Sequence, residues 1–414
     1  MKLRILAFTI CAMTLTGCSD NSDPDNPSPI PPLDRVELSP VEELAQKGMR
    51  QFGFELLNAT EAKHENRYGE SSDRNLTISP LSATFAMAML ANGGDDMLTD
   101  AILKMLHSDD LTAVNTLCDK LLRFSASTRT MELANSVWYN RNLLDINRSF
   151  VKTISDYYYG DVNDVEFGTP KALSLINSWC AGRTHGKITK VLEDTYPEDI
   201  FYLVNALYFR DSWKNEFNKA RTAPGTFNGK SVKEVMHNDF IGEFIQNDDY
   251  MCAMIPFKGT STMVVIMPKD GSKLTANDIA RTYDAAHWKK DIVNMKKYLI
   301  HLSLPKFDIS NGERIESVLN DLGLPEYAER IDKMGIVKTD NSIRLKVIHH
   351  TSTCVTEKGA EAAAVTVVGG DVSAPAPETP EGEVTFNIDR PFVFFIIEQH
   401  TGMTVMSGRI SNIA

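Results

Sequence analysis

Residues 201–209 read FYLVNALYF, a run without a single charge. A continuous apolar run of this length suits a central strand buried on both faces. A strand covered on both sides commits the chain to a layered fold, with other elements packed above and below it. The rest of the pattern fits. From Val41 onward, Leu44, Ala45, Gly48, Met49, Phe52 and Leu56 fall at helical spacing. Ala83–Leu90 is apolar nearly all round, so it predicts a buried helix, with a stop at Asn92-Gly93-Gly94. MELANSVWYN (131–140) and TMVVIMP (262–268) read as strands, and FVFFIIE (392–398) with MTVMSGRI (403–410) as a closing hairpin. Helices crowd the first part and strands the second, which predicts an α+β domain rather than alternating βαβ units.

The chain has 414 residues, 43% of them hydrophobic, enough for a sizeable core. A formal net charge of −12 argues against nucleic acid as a partner, because phosphate binding needs a basic surface. The first residues read as a secretory signal: Lys2 and Arg4, then an apolar stretch from Ile5 to Leu15, then Leu15-Thr16-Gly17-Cys18. That ending resembles the bacterial lipobox, which implies a signal peptide over 1–17, a lipidated Cys18, and export to the outer membrane, at its periplasmic side or on the cell surface. Residues 18–40 are rich in Asp, Ser and Pro and read as an extended tether, with the folded domain over 41–414. A lipid at Cys18 is the expected membrane contact, since no later segment is long and apolar enough to span.

Motifs for an enzyme or a metal are missing. Gly182-Arg-Thr-His-Gly186-Lys187-Ile188 departs from a phosphate loop in its glycine spacing, and Ile188 replaces the hydroxyl residue that would hold magnesium. His349 and His350 are neighbours that a strand would point to opposite faces, so they cannot easily share an ion with Cys354. No cofactor and no metal are expected. Cys118, Cys180, Cys252 and Cys354 are widely scattered and read as buried free thiols.

Residues 357–386, EKGAEAAAVTVVGGDVSAPAPETPEGEVTF, are far too long for a turn and precede the most hydrophobic strand. Loops beyond about 12–15 residues are uncommon in compact domains and are usually functional or disordered. Extended, one face of Gly359–Val368 would carry Ala360, Ala362, Ala364, Thr366 and Val368, all small or β-branched and uncharged. The other face carries Glu361, Ala363, Val365 and Val367. The alanine run is equally compatible with helix. Gly369-Gly370 and Pro375, Pro377 and Pro380 then project an exposed loop, the kind of segment proteases cut.

Glu357-Lys-Gly-Ala-Glu-Ala-Ala-Ala-Val-Thr366 resembles the hinge of the serpins. Other blocks agree in order along the chain. They are Asn75-Leu-Thr-Ile-Ser-Pro-Leu-Ser82, Leu175-Ile-Asn-Ser-Trp179 with Thr184-His-Gly-Lys-Ile188, Leu203-Val-Asn-Ala-Leu-Tyr-Phe209 with Trp213 and Phe217, Leu304-Pro-Lys-Phe307, and Phe386-Asn-Ile-Asp-Arg-Pro-Phe392 with Gly402 and Gly408-Arg409. The resemblance covers nearly all of 41–414. It implies a single domain of three β-sheets and about eight to nine helices, with an exposed reactive-centre loop over about 357–385. It also implies a monomeric, non-enzymatic protease trap: the loop is cut, inserts into the central sheet as a new strand, and carries the acyl-linked protease with it. The hinge is then Glu357, Gly359, Ala360, Glu361, Ala362, Ala363, Ala364 and Thr366, with Ala360 replacing the usual Thr or Ser. Ser79, Ser82, Asn205 and His349 match the polar cluster beneath the sheet (the shutter), and Trp213 marks the region at the sheet's top where the loop enters (the breach). The family's spacing puts the reactive bond at Ser373–Ala374, with cleavage after Val372 or Ala374 as alternatives. No Lys or Arg lies between Lys358 and Arg390, so the expected partner is an elastase-like or subtilisin-like serine protease, or a papain-like cysteine protease. A non-inhibitory member serving as a binding or structural protein is the other reading.

Overall fold

A computed structural model describes residues 30–69, 73–311, 315–328, 330–338, 343–345, 347–360 and 379–413. The class is α+β, with nine α-helices among the described residues.

The first helix, Pro40–Tyr68, starts where Ser39 and Glu42 form a reciprocal capping box, with Pro40 in the first turn. It runs well past Leu56, where the apolar spacing fades. The chain before it is already attached: Leu33 N–H donates to the Arg123 carbonyl at 3.1 Å, and Lys120 reaches the Glu37 carbonyl at 2.8 Å. The second helix, Pro80–Ala91, is buried at every position, as its composition predicts. It ends at Asn92-Gly93-Gly94, where the Gly94 N–H takes the Leu90 carbonyl.

The largest sheet has the order Leu76–Ile78, Thr404–Ile410, Phe392–Glu398, Ser261–Pro268, Tyr250–Pro256, Lys230–Gln246, Lys296–Pro305, Glu383–Asn387, with Ala223–Phe227 also pairing with Lys230–Gln246. The expected closing hairpin is there, Phe392–Glu398 against Thr404–Ile410, every residue buried. The 17-residue strand Lys230–Gln246 exchanges partners along its length and merges what would otherwise be separate sheets.

Phe201–Phe209 is buried at all nine positions. It lies antiparallel to Met131–Tyr139 and, at Leu203–Val204, parallel to Val347–Ile348. Asp161–Asp164 completes that four-stranded sheet. A second four-stranded sheet, Phe307–Asn311, Thr351–Thr356, Gly359–Ala360, Asp211–Ser212, continues it upward, because Asp211 follows Phe209 and Thr351 follows Ile348 by a few residues. The two are lower and upper halves of one central layer. In the lower half its inner strands touch directly; in the upper half Gly359–Ala360 lies between them.

Candidate functional site

The site is the place where the long loop leaves the central layer. Thr351–Thr356 turns back through Glu357 and Lys358 into Gly359–Ala360, with Val355 opposite Ala360 and Thr356 opposite Gly359. On its other side this short strand pairs antiparallel with Asp211–Ser212. The family resemblance implies a loop outside the sheet; instead Gly359 and Ala360, two of the expected hinge residues, already occupy the gap. Gly359 permits this because a Cβ there would sit 2.0 Å from the Asp211 carbonyl oxygen. Ala360 is only 2% exposed, so its side chain is already enclosed.

The turn is held from both sides. The indole of Trp213, stacked on Phe257 at 4.4 Å, donates through Nε1 to the Thr356 carbonyl at 2.8 Å. The Trp213 N–H donates to the Lys358 carbonyl and the Phe217 N–H to the Glu357 carbonyl, both at 2.9 Å. The Glu357 carboxylate lies 3.0 Å from Lys306 Nζ and accepts from the Thr222 hydroxyl at 2.9 Å; Lys306 also meets Glu234 at 2.7 Å. Burial alone would raise the Glu357 carboxyl, but Lys306 and Thr222 hold it below its ordinary value. Lys306, Thr222 and Glu234 carried no signal of this role in the sequence, although Lys306 lies inside the quoted Leu304-Pro-Lys-Phe307 block.

Lower in the layer, Ser79 caps the helix Pro80–Ala91: its hydroxyl accepts from Ser82 N–H at 3.1 Å and donates to the Val405 carbonyl at 2.7 Å. Its own N–H donates to His349 Nε2 at 3.0 Å. The structure therefore brings Ser79, Ser82 and His349 together. Asn205 follows Val204, which pairs with Ile348, the neighbour of His349. Its side-chain amide donates to Asn135 at 2.7 Å instead, and its Oδ1 has no partner among the described residues. Asn135, on Met131–Tyr139, is a member of this polar layer that sequence reading did not single out; an amide at the middle of a mostly apolar strand was the signal.

Because His349 accepts at Nε2, its proton must sit on Nδ1, and protonating Nε2 would destroy the bond to Ser79. Burial, with His350 adding to it, pushes the imidazole down to about 4. A depressed histidine favours the folded state above its unfolded value near 6.5 and withdraws that support as pH falls to about 4. The expected loss is about 3 kcal/mol across this window. His64, also pushed down to about 4 by burial, acts in the same direction, whereas Asp211, pushed up to about 6 by burial, opposes both. The test is therefore a difference: urea unfolding of the wild type and of His349→Gln at pH 7 and pH 4.5. The variant should lose less stability between the two pH values than the wild type; equal losses would contradict this.

Cys118, Cys180 and Cys252 are buried free thiols as expected, but Cys354 is only half-buried, because alternate residues of Thr351–Thr356 face outward. Glu361, Ala362, Ala363, Ala364, Thr366, Val372, Ser373, Ala374 and Cys18 lie outside the described residues.

Residues 47–413 match the family model described as "Serpin (serine protease inhibitor)". The chain belongs to the serpin family. An uncharacterized serpin-like protein of Thermococcus kodakarensis is 27% identical across this whole chain and 99% of its own length. Leukocyte elastase inhibitor A of Rattus norvegicus is 28% identical over 81% of this chain and 92% of its own. Among solved structures, the thermophilic serpin tengpin in its native state superposes with a TM-score of 0.75 at 26% identity, covering 92% of this chain and 97% of that one. In this serpin the hinge turn, its Trp213 and Lys306 contacts, and the Ser79–His349 layer lie along one seam of the central sheet.

Proposed function

We propose that this serpin is a suicide-type inhibitor of a protease that prefers small residues before the cleaved bond. The observation that carries this reading is the pairing of Gly359–Ala360 between Thr351–Thr356 and Asp211–Ser212. Continued in that register, a strand would run down the seam, where Leu203–Val204 and Val347–Ile348 would have to part. With Ala360 enclosed, strand alternation on insertion would turn Ala362, Ala364 and Thr366 to the same side, each small enough to enter a packed layer.

The proposed chemistry begins with a protease serine adding to the Ser373 carbonyl. The bond to the Ala374 nitrogen breaks, the new amine leaves with the C-terminal part, and Ser373 remains as an ester on the enzyme. Insertion of the freed hinge then exchanges solvated loop backbone for sheet hydrogen bonds, the strand addition for which the serpin loop is a stock example. The likeness to an elastase inhibitor and the lack of Lys or Arg between Lys358 and Arg390 support an elastase-like or subtilisin-like target over a trypsin-like one. We also propose that Cys18 carries a lipid that holds the trap at a bacterial envelope; labelled fatty acid should enter the wild type and not Cys18→Ala.

The test is to mix residues 34–414 with pancreatic elastase, subtilisin and papain and run denaturing gels with mass analysis. A stable complex and a released peptide beginning at Ala374 or a neighbouring residue are expected. Loop cleavage without a complex for all three enzymes would favour the non-inhibitory reading.

A further inference from the structure

The loop returns to the fold through Glu381 and Gly382, whose backbones bond to Lys297 and Leu299 on the strand Lys296–Pro305. Just before that strand runs the helix Ala285–Asn294. Its inner side is fixed by Asp291, a buried carboxylate that accepts from the Tyr250 and Tyr283 hydroxyls at 2.7 and 2.8 Å. Its outer side carries two neighbouring aliphatic side chains in the open: Val293 is 74% exposed and Ile292 44% exposed. Lys289 and Lys290 stand one turn earlier and are exposed, with no carboxylate partner among the described residues. Positions three and four apart share a helix face, so these lysines flank the two aliphatic side chains.

Lys296 extends the basic rim, with its Nζ 3.7 Å from the Glu381 carboxylate. Beside it is a depression of about 280 Å³ lined by Phe244, Ile245, Gln246, Asn294, Tyr298 and Val384, together with Lys296 itself. Val384 belongs to Glu383–Asn387, the strand that continues the loop. An apolar centre, a basic rim and a shallow socket therefore adjoin the C-terminal root of the loop, on a chain whose net charge is −12.

We propose that this face is a docking surface for an acidic patch on the protease that attacks the loop, and that it sets which protease is captured fastest. The inference rests on the inhibitory reading. Its occupant follows from position and charge. Glu381 follows Ala374 by seven positions, and an extended chain of that length spans at most roughly 25 Å, less than the width of a protease seated on the bond. Such a protease overhangs the face, and a basic rim around exposed aliphatic residues complements an acidic rim around an apolar spot. Rim charges act mainly on the association rate and its salt dependence.

The test compares the wild type with Lys289→Glu/Lys290→Glu/Lys296→Glu and with Val293→Ser, none of which touches the hinge. Second-order rate constants are measured against two small-residue serine proteases, one of acidic and one of basic net charge, at 20 and 300 mM salt. The triple variant should capture the acidic protease about tenfold more slowly at low salt, with the difference fading at high salt. Capture of the basic protease should be no slower, and the covalent yield unchanged for both. Val293→Ser should slow capture of the acidic enzyme at both salt concentrations. Unchanged rates with the acidic protease, while complexes still form, would overturn the docking surface and leave the inhibitory reading intact. Absence of complexes from the wild type would overturn the inhibitory reading and the docking surface with it. Binding of the wild type to phosphatidylglycerol vesicles, lost in the triple variant with capture rates unchanged, would instead assign the face to a membrane and overturn the proposal.

Discussion

Under the proposed mechanism, Ala360→Arg should turn an inhibitor into a substrate. Ala360 lies opposite both Val355 and Asp211 and is only 2% exposed. An arginine side chain at this place would have to pack where only a methyl group is enclosed, straining the layer even with the Asp211 carboxylate across the strand, or push the segment out of the sheet. The chain still folds, because the hinge has the solvent-facing alternative. The loop is still cut, because the change is far from Ser373. What fails is the race: insertion slows and hydrolysis of the acyl-enzyme wins. The expected result is loop cleavage at the wild-type rate with at least a tenfold fall in covalent complex. Ala360→Ser, of similar size, should keep the complex. An Ala360→Arg chain that traps protease in wild-type yield would show that this position does not enter the sheet during capture.

Glu61→Gln should be among the most destabilising single changes in the molecule. Arg409, on the strand Thr404–Ile410, and Glu61, on the helix Pro40–Tyr68, are both fully buried and meet at 2.9 Å. Burial pushes the Glu61 carboxyl up, partly countered by the hydrogen bond from Arg409. Arg409 Nη2 already has no partner among the described residues, so the guanidinium depends on Glu61 and Ser411. Neutralising Glu61 strands a buried positive charge, a loss of about 3–5 kcal/mol. Urea unfolding should show a much lower midpoint, with Arg409→Met on the same background restoring most of it. By contrast Lys152→Ala removes an exposed one-turn pair with Asp156 and should cost under about 0.5 kcal/mol. Equal effects from the two changes would contradict the assignment.

The same pair shows where sequence reading stops. The helix beginning near Val41 was legible while its apolar residues kept helical spacing, but its last turns bury Glu61 and His64, which look like surface residues. The burial of Glu61 depends on Arg409, 348 positions away, and no local pattern carries that. Phe201–Phe209 and Phe392–Glu398 were legible because both faces are covered, which leaves an unbroken apolar run. Lys230–Gln246 was not legible as one strand, because it changes partners along its length and its burial keeps a period of two only towards its end, from Phe240 to Ile245. The candidate site divides likewise. Trp213, Ser79 and Ser82 stood out by their place in recognisable blocks and His349 by its match to the family's polar cluster, and the structure gives each a specific contact at the seam or below it. The Lys306–Glu357 contact joins segments about fifty positions apart, and partial entry of the hinge depends on Gly359 meeting the Asp211 backbone. Neither is written in any one stretch.

The central claim is that this loop becomes a strand once it is cut. The most direct measurement is thermal unfolding before and after the loop is nicked by papain, with the nick placed by mass analysis between Thr366 and Glu381. Insertion would add a long central strand, so the nicked protein should unfold at least about 10 °C above the intact one, a shift equivalent to several kcal/mol. A nicked protein that melts at the same temperature or lower would behave like any domain with a broken surface loop, and would contradict the insertion mechanism.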